Sequence, residues 1–336
     1  MDTFFCSDNS REVGEEIIGT ATNNQTYILV ECPQPWMSEA FNSKWVPSNL
    51  KLLVEEAKQA RLPIKFLLIA NDITHKSNRT TLLIYQRKEG LGSGYCKQEF
   101  SLSNIEQVAP TIRKWLWGGI PNFAVEASKS RDILICSHGS HDRCCARYGN
   151  PLYFHGNQLI SELKLDDIRI WRTTHFGGHR FAPTCMDLPE GRYYGRLDID
   201  SFQSILTRTG DVSCLNQVYR GWGILPNEIQ ILERELISYY GWDWFQYKVA
   251  GRIIEVSADK NHILAELTFE KPDGSMYCHQ AQLVKDDAKT VELQSSCNTT
   301  KKSSSSQYAI AKLYPVSEPV FAAKIIEHQA VKSKIA

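Results

Sequence analysis

The chain lacks an excess of charge of either sign: Lys plus Arg and Asp plus Glu each number 38, so the formal net charge is zero. A general nucleic-acid binder needs a basic surplus to neutralise phosphates, so no nucleic-acid partner is expected. Long apolar runs are missing too. The longest candidates, such as Ile64–Ala70, contain Lys65 and suit strands, so no membrane partner is expected either. Near the amino terminus Asp2, Asp8, Arg11, Glu12, Glu15 and Glu16 interrupt any apolar stretch that a secretory signal would need. A cytoplasmic protein is the expectation. The Cys-x-x-Cys motif of thiol–disulfide oxidoreductases is absent. Ten cysteines in 336 residues do not make a disulfide scaffold.

What is present is an ordinary globular balance on a chain long enough for two or three domains. Thr26–Glu31, Ile64–Ala70, Thr80–Gln86 and Tyr95–Ser101 read as strands. The Gly90–Gly94 glycines read as a hairpin turn, since no helix start follows them. Asn49–Ala60 and Ile105–Trp117 read as helices. The same order then recurs. Asp132–Ile135 is a strand, a helix lies between Cys145 and Leu163, and Ile168–Thr173 is a strand. Phe181–Asp187 and Gly191–Leu197 form a hairpin, and Ile199–Arg208 is a helix. This order matches the core of a thioredoxin-like domain. The expected fold class is therefore α/β, with tandem thioredoxin-like units and a small carboxy-terminal antiparallel β appendage. The expected division is 1–120 for the first unit, 121–245 for the second and 246–336 for the β-rich extension. Beyond Gly210 the chain changes character: Asn227–Tyr240 reads as a helix, and strand-like runs follow at Arg252–Val256, His262–Phe269, Ser275–Val284 and Thr290–Ser295. Lys301–Ser306 reads as a polar mobile segment, and no function is expected in this region.

The chemistry concentrates in two segments. The first runs Cys136-Ser-His138-Gly-Ser-His141-Asp142-Arg143-Cys144-Cys145, and the second runs His175-Phe-Gly177-Gly178-His179-Arg180-Phe-Ala-Pro183. Eight residues separate Cys136 from Cys145, twenty-nine separate Cys145 from His175, and three separate His175 from His179. Thiolate and imidazole suit zinc, copper and iron. Gly177 and Gly178 disfavour a helix between the histidines and suit a tight loop around an inorganic core. Buried free cysteine is common, so Cys32, Cys185 and Cys214 read as structural, as do His75, His262 and His279.

These two segments resemble the sucrase/ferredoxin-like family, which is related to thioredoxin-like [2Fe–2S] ferredoxins, over roughly Phe5 to Trp244. The resemblance implies a [2Fe–2S] cluster with Cys136 and Cys145 on one iron and His175 and His179 on the other. It implies one-electron transfer, with redox donor and acceptor proteins unidentified and oligomeric state open. Two neutral imidazoles make the cluster less negative than four thiolates would, so the potential should rise. A ligating imidazole also keeps a proton that reduction can hold more tightly. No pair of carboxylates stands out for glycoside hydrolysis. Three alternatives remain: a structural zinc in the same Cys2His2 set, a thiol–disulfide oxidoreductase, and an interaction protein stapled by a metal. Cys144 and Cys145 are adjacent, and only one of them is expected to reach the metal.

Overall fold

The computed structural model describes residues 4–72, 79–119, 124–125, 130–304 and 306–316; His75 lies outside them. After a short helix α1 (Cys6–Glu12), strand β1 (Thr26–Glu31) is buried along its whole length. It pairs in parallel with β2 (Ile64–Ala70). Between them α2 (Ser48–Gln59) buries Leu50, Leu53, Val54 and Ala57, the apolar stripe that its spacing predicts. The hairpin β3 (Thr80–Arg87) and β4 (Tyr95–Leu102) follows, then α3 (Val108–Leu116) and the two-residue strand β5 (Ala124–Val125).

The second half repeats this order. β6 (Arg131–Cys136) and β7 (Ile168–Thr173) are parallel and joined by α4 (Arg143–Glu162). The antiparallel pair β8 (Cys185–Leu188) and β9 (Arg192–Tyr194) then leads to α5 (Ile199–Thr207). After α6 (Leu215–Val218), strand β10 (Tyr219–Trp222) closes the far edge. Strand order is β2-β1-β3-β4 in one half and β7-β6-β8-β9 in the other. A short antiparallel contact, Ile69 with Thr173 and Ala70 with Arg172, joins them into one ten-stranded sheet. The fold class is thus mixed α/β, and the sheet runs unbroken across the 120/121 division. The hairpin strands of the second half are shorter than their sequence pattern. Phe181 ends a 3-10 turn, and Pro183 has no N–H to give a ladder, so β8 starts only at Cys185.

The sheet is strongly curled. In a flat sheet β3 and β6, four positions apart, would stand roughly 19 Å from each other. Instead the Tyr85 hydroxyl on β3 bonds the Asp132 carboxylate on β6, and Lys97 Nζ on β4 reaches it at 2.6 Å. Arg169 and the Trp171 indole on β7 complete its partners, at 2.8 and 2.7 Å. Inside the curl lie Tyr27, Leu29, Leu67, Leu83, Leu134 and Trp171, a core shared by both halves. The helices α2–α3 and α4–α5 cover the outer face.

Beyond α7 (Asn227–Tyr240), strands β11 (Lys248–Val256), β12 (His262–Glu270) and β13 (Met276–Lys285) form an antiparallel sheet. A separate hairpin, β14 (Glu292–Ser296) and β15 (Thr299–Ser304), precedes β16 (Tyr308–Pro315), which pairs with β13. Over its described residues the reading of Lys301–Ser306 as mobile is corrected. Residues up to Ser304 belong to β15, whose Ser303 accepts a hydrogen bond from Arg180 at 2.8 Å. Polar side chains hid the strand, since Thr299–Ser304 has no apolar residue to show an alternation.

Burial pushes the Asp132 carboxyl up, but Arg169 and then Lys97 more than reverse this and hold it below the usual carboxylate value. Its contribution to stability is therefore present above about pH 4 and is lost as pH falls through its folded value. Replacement by alanine leaves Lys97 and Arg169 with Glu99 as their shared counter-charge, takes the acceptor from the buried Tyr85 hydroxyl and Trp171 indole, and should cost about 3–5 kcal/mol at neutral pH. Urea unfolding of Asp132→Ala and the parent, at neutral pH and at acid pH, checks this. The gap should narrow in acid; a gap independent of pH counts against the network's role.

Candidate metal centre

Cys136 is the last residue of β6, and Cys145 lies in the first turn of α4. The parallel pairing of β6 with β7 brings Thr173 beside Cys136, so His175 emerges two residues later at the same end. Asp142 caps α4, accepting from the Cys144 N–H at 2.9 Å. That cap explains why the helix starts at Arg143, before Cys145, and it aims the positive helix end at the thiols. Gly149, one turn on, lies against the end of β6; a Cβ there would collide with the Cys136 carbonyl oxygen.

Three of the four expected ligands converge. His175 Nδ1 lies 3.9 Å from Cys136 Sγ and 3.7 Å from Cys145 Sγ. His179 begins the 3-10 turn, its ring 5.3 Å from that of His175. Its Nδ1 is turned aside, 3.2 Å from Asp142 Oδ2 and 3.3 Å from Cys6 Sγ. A carboxylate only accepts, so a proton on Nδ1 suits this contact and leaves Nε2 free to face a metal. The rings of His138 and His141 stack 5.6 Å apart, and His141 stacks 4.1 Å from His175. Burial, with His141 and His179 beside it, pushes His175 down to about 2. Burial also pushes His138 and His141 below the ordinary imidazole value. The row therefore stays neutral near pH 7, the form in which imidazole binds metals. The hydrogen bond with Cys136, and then burial, pushes the Cys145 thiol up. The Arg220 guanidinium backs the loop, donating to the Gly177 carbonyl at 3.0 Å. Gly178 has φ +82°, and a Cβ there would strike Arg220.

The adjacent cysteines part company. Cys145 Sγ faces His175, whereas Cys144 Sγ lies 3.6 Å from Cys6 Sγ and 3.2 Å from Cys297 Sγ. The first centre thus involves Cys145 and not Cys144. Cys6 and Cys297 escaped sequence reasoning because they stand 138 and 153 residues from Cys144. No spacing rule links residues so far apart, and their only signal was that they are cysteines. Cys297 sits at the turn of the β14–β15 hairpin, so the appendage does reach the chemistry. Cys32 and Cys185 are buried in the core, as their structural reading requires, while Cys214 is half-buried. His262 is exposed, and the His279 ring stacks on Phe269 at 5.8 Å.

Residues 17–221 match the sucrase/ferredoxin-like family. This chain belongs to that family. Both Cys/His segments fall inside the matched region, and Cys6 and Cys297 fall outside it. The chain is also similar to altered inheritance of mitochondria protein 32 from Meyerozyma guilliermondii, 31% identical over 81 residues. That similarity covers 23% of this chain and 29% of the relative. No solved structure matches. Among the described residues no helix is long and apolar enough to cross a membrane. What the family region presents is a buried thiol–imidazole set able to hold a metal ion.

Since Gly149 lets α4 close onto β6, Gly149→Ala should push Cys145 away from Cys136. Overpacking of this kind costs about 1–3 kcal/mol. Thermal unfolding should reveal that loss, and metal content per chain should fall with it. An unchanged melting temperature together with full metal content would show that the close approach does not set the centre.

Proposed function

We propose that this protein carries a [2Fe–2S] cluster and transfers single electrons between redox proteins. Cys136 and Cys145 would hold one iron, and His175 and His179 the other. The observation that carries this reading is the convergence of Cys136, Cys145 and His175 in one buried pocket, with His179 following on the same glycine loop. The donor chemistry fits such a group: one thiol at a strand end, one in the first turn of a helix, and a His175 imidazole that burial keeps neutral. A [2Fe–2S] group there would supply a one-electron couple.

The chain's own residues set its surroundings. Asp142 holds the His179 proton on Nδ1, leaving Nε2 as the ligating nitrogen. Lys65 and Arg220 lie within electrostatic reach of Cys136, and their positive charge favours the more negative, reduced state. The repeated strand order in the two halves supports reading them as tandem thioredoxin-like units, divided near residue 120 with the β-rich extension after residue 245. The half without a cluster motif would serve as a docking partner. A cavity of about 500 Å³ is lined by its Lys51, Lys58 and Lys65 together with His138, His141 and His175, and a redox partner would dock over it.

One observation favours a second reading. The spacings of 3.7 and 3.9 Å match the edges of a tetrahedron around a single ion. A two-iron cluster needs the imidazoles further from the sulfurs, which movement of the Gly177–Gly178 loop would have to supply. A single zinc on Cys136, Cys145 and His175 is therefore the competing assignment.

Protein purified without oxygen should contain two irons and two inorganic sulfides per chain and show the visible absorption of an iron–sulfur protein. Cys145→Ser should abolish that spectrum and Cys144→Ser should spare it. Stoichiometric zinc, with no sulfide after reconstitution, would leave the single-ion reading. With imidazole ligation the potential should fall by about 59 mV per pH unit for a one-electron, one-proton step. Voltammetry from weakly acidic to alkaline pH measures this; a flat profile rejects proton uptake at the histidines.

A further inference from the structure

The three thiols that the first centre leaves unused form a set of their own. Cys6, Cys144 and Cys297 lie on α1, on α4 and at the β14–β15 turn, and all three are buried. Their sulfurs stand at the corners of a nearly equilateral triangle with edges of 3.2, 3.5 and 3.6 Å. A carboxylate oxygen of Asp142 lies within 4.8 Å of all three. We propose that Cys6, Cys144 and Cys297, with Asp142 as fourth ligand, form a second metal site that takes one zinc ion.

The spacing argues for a shared centre. Four ligands around zinc, with sulfur at about 2.3 Å, place neighbouring sulfurs roughly 3.8 Å apart. The observed edges fall slightly inside that value. A disulfide would pair two sulfurs at about 2.05 Å and leave the third without a role, whereas here no pair stands out. A multi-iron cluster would need the sulfurs spread around a larger core.

Two of the three sulfurs also accept hydrogen bonds from neighbouring groups. The Ser7 hydroxyl donates to Cys144 Sγ at 3.2 Å, and the Cys6 N–H donates to Cys297 Sγ at 3.3 Å. Asp142 is held for ligation by the backbone N–H groups of Cys144 and Cys297, each at 2.9 Å. Three thiolates and a carboxylate crowded into one buried pocket repel each other strongly unless a cation sits among them. Zinc suits the set because it accepts thiolate and carboxylate ligands and has no redox chemistry of its own.

The site does a job that no single contact does. It ties α1 and the β14–β15 hairpin to the first turn of α4, the turn that carries Cys145. Asp142 would then serve both centres, as a zinc ligand and as the partner of His179.

Metal analysis of the full chain purified without oxygen tests this. The parent should carry about one zinc per chain beyond the metal of the first centre. Cys6→Ser and Cys297→Ser should each lose that zinc and keep the visible spectrum of the first centre. Cys136→Ser should lose that spectrum and keep the zinc, so failure of the cluster reading and failure of the zinc site stay distinguishable. Where a variant fails to fold, protein grown with cobalt in place of zinc provides a second measurement. Thiolate-to-cobalt charge-transfer bands and tetrahedral d–d bands should appear in Cys136→Ser. Equal zinc in the parent and in Cys297→Ser would overturn the proposal. So would a Cys144–Cys297 disulfide found by mass spectrometry in zinc-free parent protein.

Discussion

The Asp142 carboxylate is fully buried, and each of its oxygens accepts a backbone N–H at 2.9 Å, one from Cys144 and one from Cys297. Oδ2 also faces His179 Nδ1 at 3.2 Å. Burial pushes the carboxyl up, but His179 and the Cys297 contacts outweigh it and hold it well below the usual carboxylate range. One ionised group thereby starts α4, faces the His179 ring and fastens the carboxy-terminal hairpin. A neutral amide could accept one of these hydrogen bonds but would present a donor to the other side, so the arrangement needs both oxygens. The positions of Cys144, Cys145, His179 and Cys297 all follow from this one side chain.

The curled sheet is the second constraint, and it acts through a similar device. Asp132 gathers Arg169 and Trp171 from the neighbouring β7, and Tyr85 and Lys97 from β3 and β4, which a flat sheet would keep apart. The β6–β7 pair is thereby locked from below, while α4 closes from above through Gly149. Cys136 and His175 stand at the ends of these two strands. The ligand positions thus rest on rigid strand ends and a capped helix, with only the Gly177–Gly178 loop left to adapt to what is bound.

Much of the fold was legible because it rests on local pattern. The buried run of β1, the apolar stripe of α2 and the recurrence of strand, helix, hairpin and helix are all short-range signals. The convergence of Cys136, Cys145 and His175 was legible for a related reason: parallel strands place their following loops at one end. Sequence could not show that the halves share one sheet, since the β2–β7 contact involves only Ile69, Ala70, Arg172 and Thr173. Nor could it show α1 or Cys297. Cys6 and Cys297 are 291 residues apart, and their meeting depends on the placement of every element between them. The turn of Nδ1 of His179 toward Asp142 is likewise a tertiary fact, because it needs the helix cap and the glycine loop together.

The adjacent cysteines are where these constraints meet. Successive residues in the first turn of a helix point about a hundred degrees apart, so Cys144 and Cys145 must serve different pockets once α4 is docked. Cys145 is turned to the inner core with Cys136, and Cys144 is turned outward to Cys6 and Cys297. The two pockets therefore share one turn of backbone. Any ion that tightens the outer thiols also restrains the rotation of that turn, and with it the distance of Cys145 from His175. Rigidity supplied through α1 and the β14–β15 hairpin is in this way delivered to Cys145 along the backbone of that turn, and to His179 directly, through Cys6 Sγ at 3.3 Å.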